Sequence, residues 1–277
     1  MENQIRRDGV KRVAVAGLGV IGLRVARYID DGAVEGARLN AVASRDPQKA
    51  AKSVEGLRQP PEVCPLRELP AVADIIVDCT PASIFREVAE AVIANGKVLM
   101  PLSVAALLDN MDLVDKARTT GAQIIVPTGA IIGLDTVRAM AVGDISSVVL
   151  ETRKPPNGLA GAPHLVNNSI SVENLTEAKL VFKGNAREAA KGFPANVNVA
   201  AALSLAGIGP DQTEVEVWAD PAVDRNMQSV TISSDSGDAT MQIRNIPSIE
   251  NPRTGRIVAQ SVIATLKRHT DPLVAGS

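Results

Sequence analysis

The stretch Val13-Ala14-Val15-Ala16-Gly17-Leu18-Gly19-Val20-Ile21-Gly22 decides the fold of this chain, because small apolar residues lead directly into a G-x-G-x-x-G motif. The apolar run is typical of a buried strand, and the spacing of apolar residues after it is typical of a helix. In such a unit the first glycine permits a tight turn, the second lets a pyrophosphate approach, and the third lets helix and strand pack closely. The N–H groups that open the helix then face the anion. The motif therefore predicts a Rossmann domain that binds NAD or NADP through Gly17, Leu18, Gly19, Val20, Ile21 and Gly22.

The composition narrows the class of protein. The chain has 277 residues, of which 45% are hydrophobic and only 2% aromatic, and its formal net charge is −2. This length suffices for two domains with aliphatic cores. The charges are mixed, without the basic block of a nucleic-acid surface, and no run has the roughly eighteen apolar residues of a membrane helix. The two cysteines, Cys64 and Cys79, lack metal-ligand spacing, so no metal site is predicted and a reducing, cytoplasmic location is expected. Arg6 and Arg7 before the apolar run also fit a signal peptide, an alternative that the glycine spacing disfavours.

Strand-like and helical segments alternate in the first half of the chain. The alternation predicts βαβ units and a doubly wound parallel sheet, which makes the fold class α/β. The predicted strands are residues 12–16, 39–43, 75–78, 97–100 and 123–126, and the predicted helices are residues 21–30, 47–54, 83–95 and 111–119. Ligands of such sheets bind beyond the carboxyl ends of the strands. This rule predicts that Thr80 and Ser103 lie at the nicotinamide end of a bound dinucleotide.

Strand patterns dominate the second half and predict an α+β domain with a mixed, antiparallel-rich sheet. The predicted strands are residues 147–152, 179–183, 214–219, 229–233 and 239–246, with helices at 186–191, 197–205 and 257–266. A loop rich in Pro, Gly and Asn, residues 155–168, is expected to be mobile. We therefore expect a dinucleotide-binding domain over residues 1–130, completed by a C-terminal helix within 252–277, and a substrate and dimerisation domain over residues 131–251.

The end of the second predicted strand bears on the choice of cofactor. NAD-binding proteins usually carry Asp or Glu there, which accepts a hydrogen bond from the ribose 2′-OH. This chain has Ser44 followed by Arg45, and a guanidinium can pair with a 2′-phosphate through charge-assisted hydrogen bonds. The absence of an acid also removes a repulsion. NADP is therefore the favoured cofactor, and NAD is the alternative if Arg45 is solvated and Asp46 binds the ribose.

Beyond these patterns, a series of motifs resembles those of the L-aspartate dehydrogenase family. They are residues 126–135, 152–156, 184–190, 193–201, 205–209 and 220–226, which appear in the order that the family has them. The resemblance covers essentially the whole chain. It implies an NAD(P)-linked homodimeric oxidoreductase that transfers a hydride between the nicotinamide and the α-carbon of an amino dicarboxylate, with aspartate and iminosuccinate as the pair. It also assigns Ala130 and Asn198 to the cofactor.

The chain departs from that family at one position. After the Arg-Asn pair of residues 225 and 226 the family carries one variable residue and then its catalytic histidine, and here Gln228 occupies that place. An amide cannot exchange a proton near neutral pH as imidazole does, and losing one general acid or base costs about 10²–10⁴-fold in rate. Three alternatives stay open. Gln228 orients substrate or water while another group moves the proton, or the substrate is a different amino or imino acid, or the chain binds NADP(H) without catalysis, as a sensor or regulator. A substitute histidine, His164 of the predicted loop, would require closure of that loop.

Arg153 and Lys154 are the candidates for the substrate end of the site. Both follow a predicted strand and precede the loop. The fork of an arginine matches a carboxylate bidentately, and a lysine whose pKa is lowered by burial can serve as acid or base. The alternative is that both side chains only end a strand in solvent. With Gln228, these two residues form the predicted catalytic set.

Overall fold

The computed structural model describes residues 9–194, 198–249 and 254–276. These residues form two compact units. Of the described residues, the first unit contains those up to Ala106, 110–127 and 259–275, and the second contains those within 107–109 and 128–258 together with Gly276. The predicted domain boundary at residues 251 and 252 lies outside the described residues.

The first unit is built on a six-stranded parallel sheet with the order β3-β2-β1-β4-β5-β6. Its strands are β1 (Lys11–Ala16), β2 (Ala37–Ala43), β3 (Glu62–Val63), β4 (Ile75–Asp78), β5 (Val98–Pro101) and β6 (Gln123–Ile124). The helices are α1 (Val20–Asp30), α2 (Pro47–Val54), α3 (Leu69–Val72), α4 (Ala82–Ala94), α5 (Val104–Leu108) and α6 (Asp112–Thr120). This strand order is that of a Rossmann domain, so the predicted doubly wound fold is confirmed.

A five-stranded mixed sheet with the order β11-β10-β7-β9-β8 forms the second unit, as predicted. The pair β7 and β9 is parallel and the other three pairs are antiparallel. Its strands are β7 (Ile145–Lys154), β8 (Lys179–Asn185), β9 (Glu214–Ala219), β10 (Met227–Ser234) and β11 (Gly237–Arg244). The remaining helices of the chain are α7 (Leu134–Met140), α8 (Pro163–Asn167), α9 (Ala186–Gly192), α10 (Asn198–Ala206) and α11 (Ile257–Thr270).

The core of the first unit explains why its strands are continuously apolar. Alternate residues of β1, Val13 and Val15, pack in one buried cluster with Val25 of α1 and Val262 of α11. The intervening residues of β1 are equally inaccessible to solvent, because a parallel sheet carries helices on both faces. The last helix of the chain thus completes the hydrophobic core around the first strand.

The structure departs from the sequence-based expectations mainly in short elements. The segment predicted as an irregular loop contains a 3₁₀ turn at Pro156–Gly158 and then α8, which begins at Pro163 because proline suits the first turn of a helix. Strand β7 also continues two residues beyond its predicted end, to Lys154. The predicted helix start at Val197 lies outside the described residues. In the described ranges, the helices are all too short or too polar to span a bilayer.

Candidate active site

The glycine turn of the first unit has the geometry that its motif predicts. Gly17 has φ +87°, and a Cβ there would lie 2.8 Å from the carbonyl oxygen of Cys79. A Cβ on Gly22 would overlap the carbonyl oxygen of Gly17 and meet Val15 of β1. Both positions therefore require glycine for reasons internal to the fold.

Gly19 differs from the other two glycines of the motif, because a Cβ there would have no described atom within 4 Å. The backbone at Gly19 is extended and precedes α1, whose first turn, within the described chain, has neither a side-chain cap nor an acidic residue. The first N–H groups of a helix attract anions. Open space beside these groups, next to Leu18, Val20 and Ile21, fits the diphosphate of a dinucleotide.

The carboxyl end of β2 carries Ser44 and Arg45. Arg45 is exposed and has no ion-pair or hydrogen-bond partner among the residues that the structure describes. Asp46, the alternative ribose ligand, instead begins α2, where its Oδ1 accepts a hydrogen bond of 3.0 Å from the N–H of Lys49. An N-cap of this kind stabilises the helix start, so one oxygen of the Asp46 carboxylate is already engaged.

At the ends of β4 and β5, a buried carboxylate organises Thr80 and Ser103. Asp78 is fully buried, and its Oδ1 accepts hydrogen bonds from the Thr80 backbone N–H (2.9 Å) and hydroxyl (2.6 Å). Ser103 in turn donates to the carbonyl oxygen of Thr80, at 2.8 Å. Burial raises the pKa of Asp78 to about 6, against the two bonds from Thr80, which lower it. The structure thus brings together Thr80 and Ser103, which we predicted at the nicotinamide end: Asp78 holds Thr80, and Thr80 in turn accepts a hydrogen bond from Ser103.

In the second unit, one buried face of the sheet collects polar side chains. Along β7 the residues alternate between the two faces, and Thr152 and Lys154 lie on the buried one, exposed by 6% and 4%. Gln228 of β10 is directly paired with Thr152 and is 4% exposed. Paired residues of antiparallel strands share a face, and diagonal neighbours are within reach of long side chains. Lys154 and Gln228 are such diagonal neighbours, so two of the three predicted catalytic residues share this face.

Lys154 has the electrostatic setting of a proton-transfer group. Burial lowers the pKa of its ammonium to about 8, because removal from water disfavours the charged form. An amine with a pKa near neutrality exchanges protons efficiently in that range. Within the described chain, no three side chains of His, Cys, Asp or Glu cluster as metal ligands would.

Arg153, the third predicted residue, lies on the opposite face of β7. Its guanidinium pairs with Glu151 at 2.8 Å and with Asp220 at 3.1 Å. It also stacks over the ring of Trp218, 4.8 Å from the centroid. The structure therefore does not bring Arg153 together with Lys154 and Gln228, and its charge is already matched by carboxylates.

One residue that sequence reasoning missed contacts Gln228 directly. Asn245, which follows β11 and is 5% exposed, donates from Nδ2 to Gln228 Oε1 at 2.6 Å and to the Ala130 carbonyl oxygen at 2.9 Å. An asparagine after a strand is also typical of a turn, so no signal in the sequence singled it out. Asn198, the other residue assigned to the cofactor, is exposed and is the first residue of α10.

His164 does not take the place of the family's histidine. Its ring packs against Phe182 and Phe193, with centroid distances of 5.1 and 5.5 Å. Phe182 belongs to β8, which is three strands from β10 in the sheet, or roughly 14 Å at the usual strand spacing. The structure thus places His164 in an aromatic cluster away from Gln228.

Comparison with known proteins agrees with both units. Residues 17–127 match the family model described as homoserine dehydrogenase, NAD binding domain, and residues 135–269 match the one described as aspartate dehydrogenase, C-terminal. The L-aspartate dehydrogenase of Bradyrhizobium diazoefficiens is 53% identical over 96% of this chain and 94% of that protein. L-aspartate dehydrogenase 3 of Bordetella bronchiseptica is 50% identical over 96% and 97%, respectively. The crystal structure of aspartate dehydrogenase from Thermotoga maritima superposes with a TM-score of 0.74, at 25% identity over 96% of this chain and 99% of that chain.

Proposed function

This chain belongs to the L-aspartate dehydrogenase family, and from that premise we propose that it is an NAD(P)-dependent dehydrogenase of L-aspartate. The reaction removes a hydride from the α-carbon of the amino dicarboxylate and a proton from its amino group, which leaves the imino acid, and it runs in reverse when the imine is reduced. The observation that carries the proposal is that buried Lys154, whose pKa burial lowers to about 8, is the diagonal neighbour of buried Gln228 on one face of the second sheet. A merely structural sheet face would bury apolar residues there.

The first unit supplies the cofactor site in this proposal. Gly19 leaves room for the diphosphate at the start of α1, beside the tight turn that Gly17 and Gly22 permit. Thr80 and Ser103 are held at the carboxyl ends of the adjacent strands. When bound, the nicotinamide ring supplies the hydride acceptor of the oxidation.

Lys154 carries the proton in this mechanism. In the oxidative direction its neutral amine accepts a proton from the substrate ammonium, so that the nitrogen lone pair can form the C=N bond as the hydride leaves the α-carbon. In the reductive direction its ammonium returns that proton. The lowered pKa of about 8 keeps both forms accessible near neutral pH. In this proposal Lys154 performs the proton transfer that the catalytic histidine performs in the family.

Gln228 has an orienting role in the proposal. Its amide cannot take up a proton near neutral pH, but it can donate hydrogen bonds from Nε2 to a carboxylate oxygen of the substrate. Arg153 is not part of this mechanism, because it lies on the other face of β7 with its charge paired.

NADP is the favoured cofactor in our proposal. Support comes from Ser44, which stands where an acid would repel a 2′-phosphate, and from the exposed Arg45 beside it. The use of Asp46 as the N-cap of α2 weakens its claim as a ribose ligand. We also propose that the enzyme is a homodimer, as the family resemblance implies, and sedimentation equilibrium would report two chains per particle.

The function is tested by absorbance at 340 nm with NADPH or NADH, oxaloacetate and a high concentration of ammonia, and in reverse with L-aspartate and NADP or NAD. Ammonia-dependent oxidation of NADPH supports the proposal. Calorimetric binding of NADP without turnover of any keto acid would instead support a non-catalytic NADP(H)-binding protein, the second candidate, which the replacement of the family's histidine by Gln228 favours. Turnover that does not need ammonia would point to an aldehyde or hydroxy-acid substrate.

A further inference from the structure

The surroundings of Asn245 favour one orientation of its side-chain amide. Its Nδ2 lies 2.9 Å from the carbonyl oxygen of Ala130, and a backbone carbonyl can only accept hydrogen bonds. Turning the amide over would bring Oδ1 against that oxygen, two acceptors in contact in a buried place, at the cost of the hydrogen bond and of its desolvation. The Ala130 carbonyl oxygen therefore keeps the amide Nδ2 of Asn245 directed toward it.

The orientation of Asn245 passes to Gln228. The same Nδ2 lies 2.6 Å from Gln228 Oε1, and because Nδ2 is a donor, the atom that Gln228 presents to it must be the oxygen. The amide Nε2 of Gln228 is consequently directed away from Asn245. It donates no hydrogen bond to any residue within the described ranges, although the side chain as a whole is 4% exposed.

A donor with no partner, on the face that also carries Thr152 and Lys154, has a chemical preference. It fits an acceptor such as a carboxylate oxygen, and it disfavours a second donor such as an amide NH₂ or an ammonium. The Gln228 side chain is only 4% exposed, which increases this discrimination, because an unpaired polar group costs more when it is largely removed from water.

We propose that Asn245 is a positioning residue that holds Gln228 with its amide Nε2 toward the substrate, so that the site selects a substrate carboxylate next to Nε2. The inference rests on the proposed function, in which Gln228 contacts the substrate. Asn245 contacts Gln228 and Ala130, and it influences which substrate group binds only by orienting the Gln228 amide.

Asn245→Asp tests the proposal with almost no change of shape. A carboxylate at position 245 can accept from Gln228 but cannot donate to it, so the Gln228 amide turns over and presents Oε1 to the substrate. We expect KM for L-aspartate to rise about 10–100-fold, the loss of one hydrogen bond to a charged group, with a smaller change in kcat. The ratio of kcat/KM for L-aspartate to that for L-asparagine, whose side chain offers an amine donor, should fall by a similar factor.

The matched control is Gln242→Glu. It makes the same amide-to-carboxylate change on β11 but on the exposed face of that strand, and it should leave both kinetic constants and the substrate ratio unchanged. A merely structural role of Asn245 would lower kcat/KM for both substrates by the same factor and would leave their ratio unchanged.

A double-mutant cycle with Gln228→Met supplies the second measurement. Without the amide at position 228, Asn245→Asp has nothing to reorient, so its effect on KM should disappear; fully additive effects would overturn the proposal. If Asn245→Asp does not fold, Asn245→Ala replaces it in the same cycle, with the same non-additivity expected. Failure of the wild-type protein to turn over L-aspartate would refute the proposed function, and the positioning role with it. Wild-type turnover combined with an unchanged substrate ratio in Asn245→Asp would refute the positioning role alone.

Discussion

Arg153 and Lys154 are adjacent in the chain, yet their side chains lie on opposite faces of β7. Lys154 is buried on the face of Gln228, whereas Arg153 is half-buried against Glu151 and Trp218. The separation follows from the two-residue period of a strand. Two neighbouring cations that look equivalent in sequence therefore have different surroundings, and only Lys154 lies on the face of Gln228.

Lys154→Met should abolish most turnover while leaving the fold and the cofactor site intact. Methionine retains the apolar stem of the side chain and suits a buried position, but it carries no proton. We expect kcat to fall about 10²–10⁴-fold, as for the loss of a general acid or base, with calorimetric binding of NADP unchanged. Undiminished turnover would remove Lys154 from the mechanism.

Arg153→Met is the matched variant on the other face. It breaks the ion pairs to Glu151 and Asp220 and leaves the latter carboxylate, 7% exposed, without its cation. We expect a loss of about 1–3 kcal/mol in the free energy of unfolding, measured by denaturant titration, and near-normal kcat in the folded enzyme. Lost turnover at unchanged stability would instead return Arg153 to the site.

The rate should depend on pH through Lys154. The pKa of its ammonium is lowered from 10.5 to about 8, so the neutral amine predominates above that pH and the ammonium below it. Oxidation of L-aspartate needs the amine, and kcat should therefore rise with pH through about 8 and then level off. Reduction of the imine needs the ammonium, and its kcat should fall over the same range. Profiles in both directions for the wild type and Lys154→Met provide the check, and a limb near pH 8 that persists in the variant would contradict the assignment.

The sequence predicted the elements of the fold well, because their signals are local. The glycine turn at Gly17, Gly19 and Gly22 and the alternating strands of the first unit depend on residues close in the chain. The faces of β7 were not predicted, since the expected strand ended at residue 152 and left Arg153 and Lys154 beyond the ladder, where no face is assigned. A two-residue error at a strand end thus concealed the main distinction in the site.

Asn245 marks the limit of local reasoning in the candidate site. Its partner Ala130 is 115 residues away in the chain, and only the folded second unit brings the two together. Asp78 is a similar case, because a single acid at the end of an apolar strand reveals nothing of its bonds to Thr80. Residues that act through partners of this kind have no signature of spacing or periodicity.

Gln228→His should raise aspartate dehydrogenase activity. The imidazole would face the amide Nδ2 of Asn245. A donor that faces one ring nitrogen stabilises the neutral imidazole and therefore lowers the pKa of the histidine. A neutral histidine beside the substrate can accept a proton near pH 7, so we expect kcat to rise about tenfold or more and the limb of the oxidative pH profile to move below 8. Gln228→Asn, which keeps an amide, is the control and should show no gain. An unchanged kcat in Gln228→His would mean that Lys154 already supplies all the proton transfer that the site can use.

Arg45→Ala should weaken the use of NADP selectively. The guanidinium is exposed at the end of β2, and its removal deletes a charge-assisted contact to a 2′-phosphate. We expect KM for NADP to rise about 10–100-fold with KM for NAD unaffected. Lys52→Ala removes an exposed cation from the last turn of α2 and controls for net charge. Equal losses with both cofactors in Arg45→Ala would refute the assignment of the 2′-phosphate site.

Asp78→Asn should change how stability depends on pH, because the carboxyl is fully buried and its pKa is raised from 3.8 to about 6. The folded protein then binds the proton more tightly than the unfolded chain does. The contribution of Asp78 is fully present below about pH 4 and is lost as pH rises through about 6, a difference of roughly 3 kcal/mol. Asparagine does not titrate, so the variant should gain stability relative to the wild type over this range in urea titrations.

Asp74→Asn is the opposite control. The Arg12 guanidinium holds the pKa of Asp74 down at about 2, so that variant should be less stable than the wild type above pH 4 and should converge with it as pH falls through about 2. Parallel pH dependences in the wild type and Asp78→Asn would show that folding does not raise the pKa of Asp78.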